Sequence, residues 1–179
     1  VYSNWEIIDD KGKKLRDFTE SNYNQLSKFE YNIRLLDGQQ INVNTTLFPS
    51  SLFEKCKIRD LDDPVAIDYD FFLCSALLND VKFYLIPKPL VKYRIHPKQL
   101  SHKNISKTLD YIFEIKHDIL EHLDVFTRKK YSDALRQYQK TKPMKQKTME
   151  FGMKLLILTP SWASDRLLTF YLNNIRQKR

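Results

Sequence analysis

The segment from Ala66 to His102 constrains this chain more than any other: AIDYDFFLCSALLNDVKFYLIPKPLVKYRIHPKQLSH. It opens on Asp68-Tyr69-Asp70, two carboxylates at the head of an apolar pattern. Ile67, Phe71, Cys74 and Leu78 recur at i, i+4, i+7 and i+11, the period of a helix that lays one stripe against a core. Asp68 falls in its first turn, where the helix dipole favours a carboxylate by about 0.3–1 kcal/mol. Two apolar runs follow, Val81 to Ile86 and Leu90 to Ile95, and read as strands on each side of a Pro87-Lys88-Pro89 turn. The second ends in Tyr93-Arg94-Ile95-His96, with Ser101 and His102 just beyond. A carboxylate pair at a helix start and a Tyr/Arg/His cluster at a strand end are two places where a site can be built.

Before this segment the chain alternates strand and helix signals. Val1 to Ile8 is rich in Tyr, Trp and Ile and reads as a buried strand. Asp9-Asp10-Lys11-Gly12 reads as a turn, with Gly12 able to take a positive φ, and Lys14 to Phe18 as the returning strand. Ser21 to Leu36 carries Leu26, Phe29, Ile33 and Leu36 at helical spacing and ends near Asp37-Gly38. Ile41 to Phe48 reads as a strand. Ser51 with Glu54 three residues on predicts a capping box and a short helix through Cys56. Asp60, Asp62, Asp63 and Pro64 form an acidic loop.

After it the pattern turns helical. Ile105, Leu109, Ile112, Ile119 and Leu123 describe a long amphipathic helix, and Phe126 to Lys142 continues helically in more basic character. Pro143 breaks it, Met149 to Leu158 adds apolar turns, Pro160 stops them, and Ser164 to Ile175 predicts a last helix. The expectation is therefore an α/β domain over residues 1–101 followed by a basic, all-α extension over 102–179. With only three glycines, a loop-rich all-β fold is disfavoured.

The net charge of +8 is concentrated in the extension. Residues 1–101 carry equal numbers of basic and acidic side chains, whereas residues 126–154 carry nine basic and two acidic. The default for such a helix is a solvated face; the sharper reading is contact with anionic lipid headgroups. Tyr131 and Tyr138 are interleaved with the positive charge, but no nucleic-acid motif accompanies them, and no nucleic-acid partner is expected. Cys56 and Cys74 make neither a disulfide framework nor a metal pattern and read as reduced thiols of a cytoplasmic protein, peripheral at most at the inner membrane face. No apolar run is long enough to span a bilayer and no secretory signal opens the chain. The first residue is Val, so sequence upstream of it is expected. His102, His117 and His122 read as surface histidines, the last two spaced wrongly to share a helix face. Asn44-Thr45-Thr46 and Asn104-Ile105-Ser106 fit a glycosylation sequon that is common by chance.

Read from its residues alone, Asp68 has two roles open to it, helix cap or general base, and His96 likewise two, structural hydrogen bonding or ligation. The order of motifs resembles the acceptor half of family 2 glycosyltransferases, inverting enzymes with a GT-A fold. Asp68-Tyr69-Asp70-Phe71-Phe72-Leu73 is similar to that family's Glu-Asp-Tyr-Asp helix start, and Ile86 to His96, with Ser101 following, to its "ipePLvyYRiH…S" strand. Val1 to Asn4, Ile8 to Gly12 and Asn44 to Phe48 extend the likeness over about the first 100 residues. The resemblance implies a partial nucleotide-diphospho-sugar transferase sheet with helices. It implies transfer of a sugar from a nucleotide-sugar donor to a hydroxyl of a glycan or lipid-linked acceptor. It assigns Asp68 as base, Asp70, Arg94 and His96 to the substrate or diphosphate region, His96 as a metal ligand, and Mg or Mn as the ion.

The chain departs from that pattern in three places. Ile67 stands where the family usually has Glu, and Cys74 where it has Arg. The donor half, a strand ending in Asp-x-Asp, is absent; Asp60-Leu61-Asp62 and Asp68-Tyr69-Asp70 have those letters but follow no strand-like run. The chain alone is therefore expected to be inactive. The rival reading is a non-catalytic interaction module whose basic helices bind membrane or a partner protein.

Overall fold

Strand β1 (Tyr2–Ile8) is the middle of a three-stranded mixed sheet of order β2-β1-β3. The computed structural model describes residues 1–38, 41–56, 66–96 and 105–157. The acidic loop at 60–64 and the helix expected over 164–175 lie outside them. β2 (Lys14–Phe18) pairs antiparallel with β1, and β3 (Leu85–Arg94) pairs parallel with it. β1 is the buried strand: Tyr2, Trp5, Ile7 and Ile8 all have little exposure, Tyr2 joins the core that the helices share, and Trp5 stacks on Phe18 of β2. Its two buried polar residues are partnered within the chain: Ser3 Oγ donates to the Asn4 carbonyl, and Asn4 Oδ1 accepts the Glu20 N–H. The β1–β2 turn forms as its residues predict. Gly12 takes φ 87°, and Asp9 Oδ1 accepts the N–H groups of Lys11 and Lys13.

Between β2 and β3 the chain crosses over through α1 (Lys28–Asp37), a 3-10 turn (Val43–Thr45), α2 (Ser51–Lys55) and α3 (Ile67–Leu73). Helices α4 (Ile105–Glu121), α5 (Val125–Thr141) and α6 (Met144–Ile157) follow. The architecture is α/β with a helical C-terminal region, and the two parts share one core. Ile115 and Ile119 of α4 are buried with Tyr31, Leu35, Phe72, Leu73 and Phe83.

Several local expectations are corrected. Ile41 to Phe48 is not a strand. Asn42 Oδ1 accepts the Asn44 N–H, and the Thr45 and Thr46 hydroxyls donate to the Asn42 carbonyl, so local side-chain bonds close a 3-10 turn instead. The helix expected from Ser21 begins at Lys28. Asn24 is held in a turn closed by the Leu26 N–H on the Tyr23 carbonyl, donating to the Leu85 carbonyl at 2.9 Å and accepting the Leu85 N–H at 2.8 Å. The capping box lies at Ser27 and Glu30, where both reciprocal bonds form; at Ser51 and Glu54 none does, and Ser50 is the cap residue. The two strands expected around the prolines are one strand, Leu85–Arg94. Its register with β1 slips on both sides of Asn4, because Pro87 and Pro89 have no N–H to give the ladder.

The helical stripe of Ile67, Phe71, Cys74 and Leu78 is corrected too. α3 is buried nearly all round, and from Cys74 to Leu78 it widens into a π turn that rotates the register. Phe72, Leu73 and Ala76 enter the core while Leu78 is exposed.

Helix α5 docks on α1 through polar and aromatic contacts. The Tyr131 ring packs tilted against Phe29 at 4.9 Å and its hydroxyl accepts from Asn32 Nδ2; the Arg34 guanidinium lies 3.7 Å from the Tyr138 ring centre. Lys142, past the end of α5, is not part of the exposed basic face. Its side chain is 2% exposed, and its ammonium lies 2.5 Å from Asp37 and 2.7 Å from Glu150. Burial alone pulls its pKa down, but the hydrogen bonds and charges of Asp37 and Glu150 outweigh that and leave it raised. The stability this contributes is present below the ordinary lysine pKa and is lost as pH rises through the folded value. Lys142→Ala strands the Asp37 charge and is expected to lower unfolding stability by about 3 kcal/mol. In denaturant melts, Lys142→Met with Asp37→Leu should recover much of that loss; equal stability of wild type and Lys142→Ala would contradict the clamp.

Candidate functional site

The candidate residues stand at two element ends. Asp68 and Asp70 lie at the start of α3, and Arg94 and His96 at the end of β3. α3 starts sharply because Ala66 adopts a left-handed conformation, φ 57°, which turns the chain into the helix without a side-chain cap. Asp68 Oδ1 accepts the N–H of the next residue, Tyr69, at 3.0 Å. Asp68 keeps an exposed surface, yet the surrounding protein desolvates its carboxyl and raises its pKa, against the lowering effect of its backbone hydrogen bonds.

Two residues on, Asp70 is 6% exposed and belongs to the interior. Its charge helps to raise the pKa of Cys74. Tyr69 between them is anchored by its hydroxyl, which donates to the Leu35 carbonyl at 2.6 Å. Of the carboxylates in Asp-Tyr-Asp, only Asp68 meets solvent.

At the other end, the parallel pairing carries β3 past the β1–β2 turn. Ile95 N–H donates to the Ile8 carbonyl, and Arg94 Nη1 donates to the carbonyls of Asp9 and Asp10 at 3.1 and 2.6 Å. Arg94 thus braces the turn. His96 follows it and is exposed. The hydrogen bonds of Asp68 and Arg94 run to different elements. Ser101 and His102 lie outside the described residues.

Among the described residues no group of three or more His, Cys, Asp or Glu side chains is arranged to hold a metal ion. Mg and Mn prefer several oxygen ligands, so His96 by itself does not make a site for either. Among the described residues no helix is long and apolar enough to cross a membrane.

The structure also joins residues that sequence spacing does not connect. Asn79 Nδ2 lies 3.1 Å from Cys56 Sγ and 3.6 Å from Cys74 Sγ, and Ser75 Oγ donates to Cys56 Sγ at 3.6 Å. Burial first, then hydrogen bonding with Cys56 and the nearby Cys56 and Asp70 charges, pushes the Cys74 thiol up to about 12, although Asn79 opposes this. The π turn makes the grouping by bringing Asn79 back over Cys74. No local signal in the sequence marks it.

The chain matches no known family model, no curated protein and no solved structure.

Two outcomes follow from these environments. In the native protein at neutral pH, Cys74 should alkylate with iodoacetamide at least about a hundredfold more slowly than in the unfolded chain, because its thiolate is scarce. Equal rates, followed by peptide mass analysis, would contradict the buried grouping. For Asp68 the folded pKa lies above the unfolded one, so its ionisation costs stability as pH rises from the unfolded value through the folded one. Asp68→Asn should therefore melt above wild type at neutral pH and level with it in acid; a variant melting below wild type at neutral pH would contradict this.

Proposed function

We propose that this chain is the acceptor-side part of an inverting family 2 glycosyltransferase with a GT-A fold. The observation that carries the reading is Asp68: a solvent-facing carboxylate at a rigid helix start, with its pKa raised from the ordinary carboxylate value. Proton abstraction by a carboxylate is most effective when its pKa is raised toward the working pH. In the proposed reaction Asp68 takes the proton of an acceptor hydroxyl. The acceptor oxygen attacks the anomeric carbon of the sugar, and the bond from that carbon to the donor phosphate breaks with inversion. The nucleoside diphosphate departs.

Support also comes from topology. His96 stands just past the carboxyl end of a parallel strand, the edge at which open α/β sheets receive ligands. Arg94 has a structural part, holding the β1–β2 turn against that edge, and Asp70 sits too deep to meet a diphosphate directly. The donor's metal-binding Asp-x-Asp is assigned to residues outside this chain.

The rival, a non-catalytic interaction module, draws on the same segment. Ile67 and Cys74 replace polar partners of the site, and Cys74 is committed to the thiol grouping.

Asp68→Asn in the full-length protein separates the two. A general base contributes about a hundredfold to ten-thousandfold, so transfer measured with a panel of nucleotide-sugars should fall at least about a hundredfold with the fold retained. Wild-type turnover by the variant would remove Asp68 from the mechanism.

A further inference from the structure

We propose that the outward face of α5 docks on an anionic lipid bilayer. Helical geometry puts Phe126, Lys129, Lys130, Asp133, Gln137 and Lys140 on one face of α5, with Arg136 on its flank. All except half-buried Asp133 are exposed, and Asp133, the one acidic member, lies 3.9 Å from Arg136. Lys130 also reaches back over the Phe29 ring at 4.5 Å. At the start of the face Val125 is 70% exposed and Phe126 87%, in the first turn of a helix capped by Asp124, whose carboxylate accepts the N–H groups of Phe126 and Thr127.

A row of cations headed by two apolar side chains suits a surface that is negatively charged outside and apolar just beneath. An anionic bilayer is such a surface. The opposite side of α5 decides against the other polyanion, a nucleic acid. Single-stranded nucleic acid binds on cationic grooves with aromatic rings for its bases to stack on. The tyrosines of α5 that could do this, Tyr131 and Tyr138, are turned inward onto Phe29 and Arg34. The face keeps one exposed ring, Phe126 at its very end, and presents charge without a run of rings along it. Its apolar end, Phe126, projects from a helix terminus, where it can enter headgroups without disturbing the packing on α1. This inference stands on α5 alone and does not depend on the transferase reading.

The test is co-sedimentation of the full chain with vesicles of equal parts phosphatidylglycerol and phosphatidylcholine, against phosphatidylcholine alone, at physiological salt. The expected result is binding to the anionic vesicles only. Lys129→Gln, Lys130→Gln, Arg136→Gln and Lys140→Gln combined should weaken it roughly a hundredfold or more. Phe126→Ser alone should weaken it roughly tenfold. All five side chains are exposed, and circular dichroism checks that each variant keeps its helices. Binding that is indifferent to lipid charge, absent, or unchanged in the quadruple variant would overturn the proposal. So would a single-stranded oligonucleotide that outcompetes the vesicles for wild type but not for the quadruple variant.

Discussion

Parallel pairing of β1 with β3 sets Tyr2 against Leu85 and Ile8 against Arg94, and most of the remaining structure answers to that constraint. Parallel neighbours cannot be joined by a tight turn, so the intervening chain must leave the sheet and return. α1, α2 and α3 make that excursion, and their apolar faces build the core into which Tyr2 of β1 and Leu85 of β3 are set. The pairing is itself imperfect. The prolines of β3 break the ladder beside Asn4, and Asn24 compensates at the strand's beginning by bonding both backbone groups of Leu85. At its far end, Ile95 and Arg94 tie the strand to the β1–β2 turn and leave His96 at the open edge.

The second organising feature is the depth of α3. Its first turn separates two carboxylates that the sequence presents as a pair, sending Asp70 inward and Asp68 to solvent. Desolvation then raises the pKa of the one that remains accessible. Further along, the π turn gathers Cys56, Cys74, Ser75 and Asn79 into a hydrogen-bonded group beside the apolar core. The same helix thus supplies a candidate base at one end and a satisfied thiol grouping at the other.

Strongly local features were legible in the sequence. β1 follows from its composition, β2 and the Gly12 turn from turn chemistry, and the helical character of 126–141 and its end at Pro143 from periodicity, and the structure has them; the break capped by Asp124, which makes α5 a new helix and not a continuation of α4, was not read. The misreadings came where side chains compete with regular backbone bonding. Asn42 converts an apparent strand into a 3-10 turn, and Asn24 keeps residues before Ser27 out of α1. A helical wheel cannot anticipate a π turn, so the stripe on α3 was misplaced by the very residues that widen it. At the candidate site, Asp68 stands out from its motif, whereas the burial of Asp70 and Lys142 is set by tertiary packing. Glu150 lies only eight residues from Lys142, but Asp37 is on another helix, and nothing local announces that the three meet.

The central proposal is that Asp68 at the start of α3 and His96 at the edge after β3 take part in one reaction on a nucleoside-diphosphate donor. Its most direct test is a nuclear magnetic resonance titration of the full-length protein with UDP, GDP and dTDP in the presence of Mn or Mg. The account predicts that one nucleotide perturbs the His96 ring and the Asp68 amide together, at a saturable site. Perturbations confined to the basic face of α5, with His96 and Asp68 unmoved, would contradict it and leave the chain as a binding module.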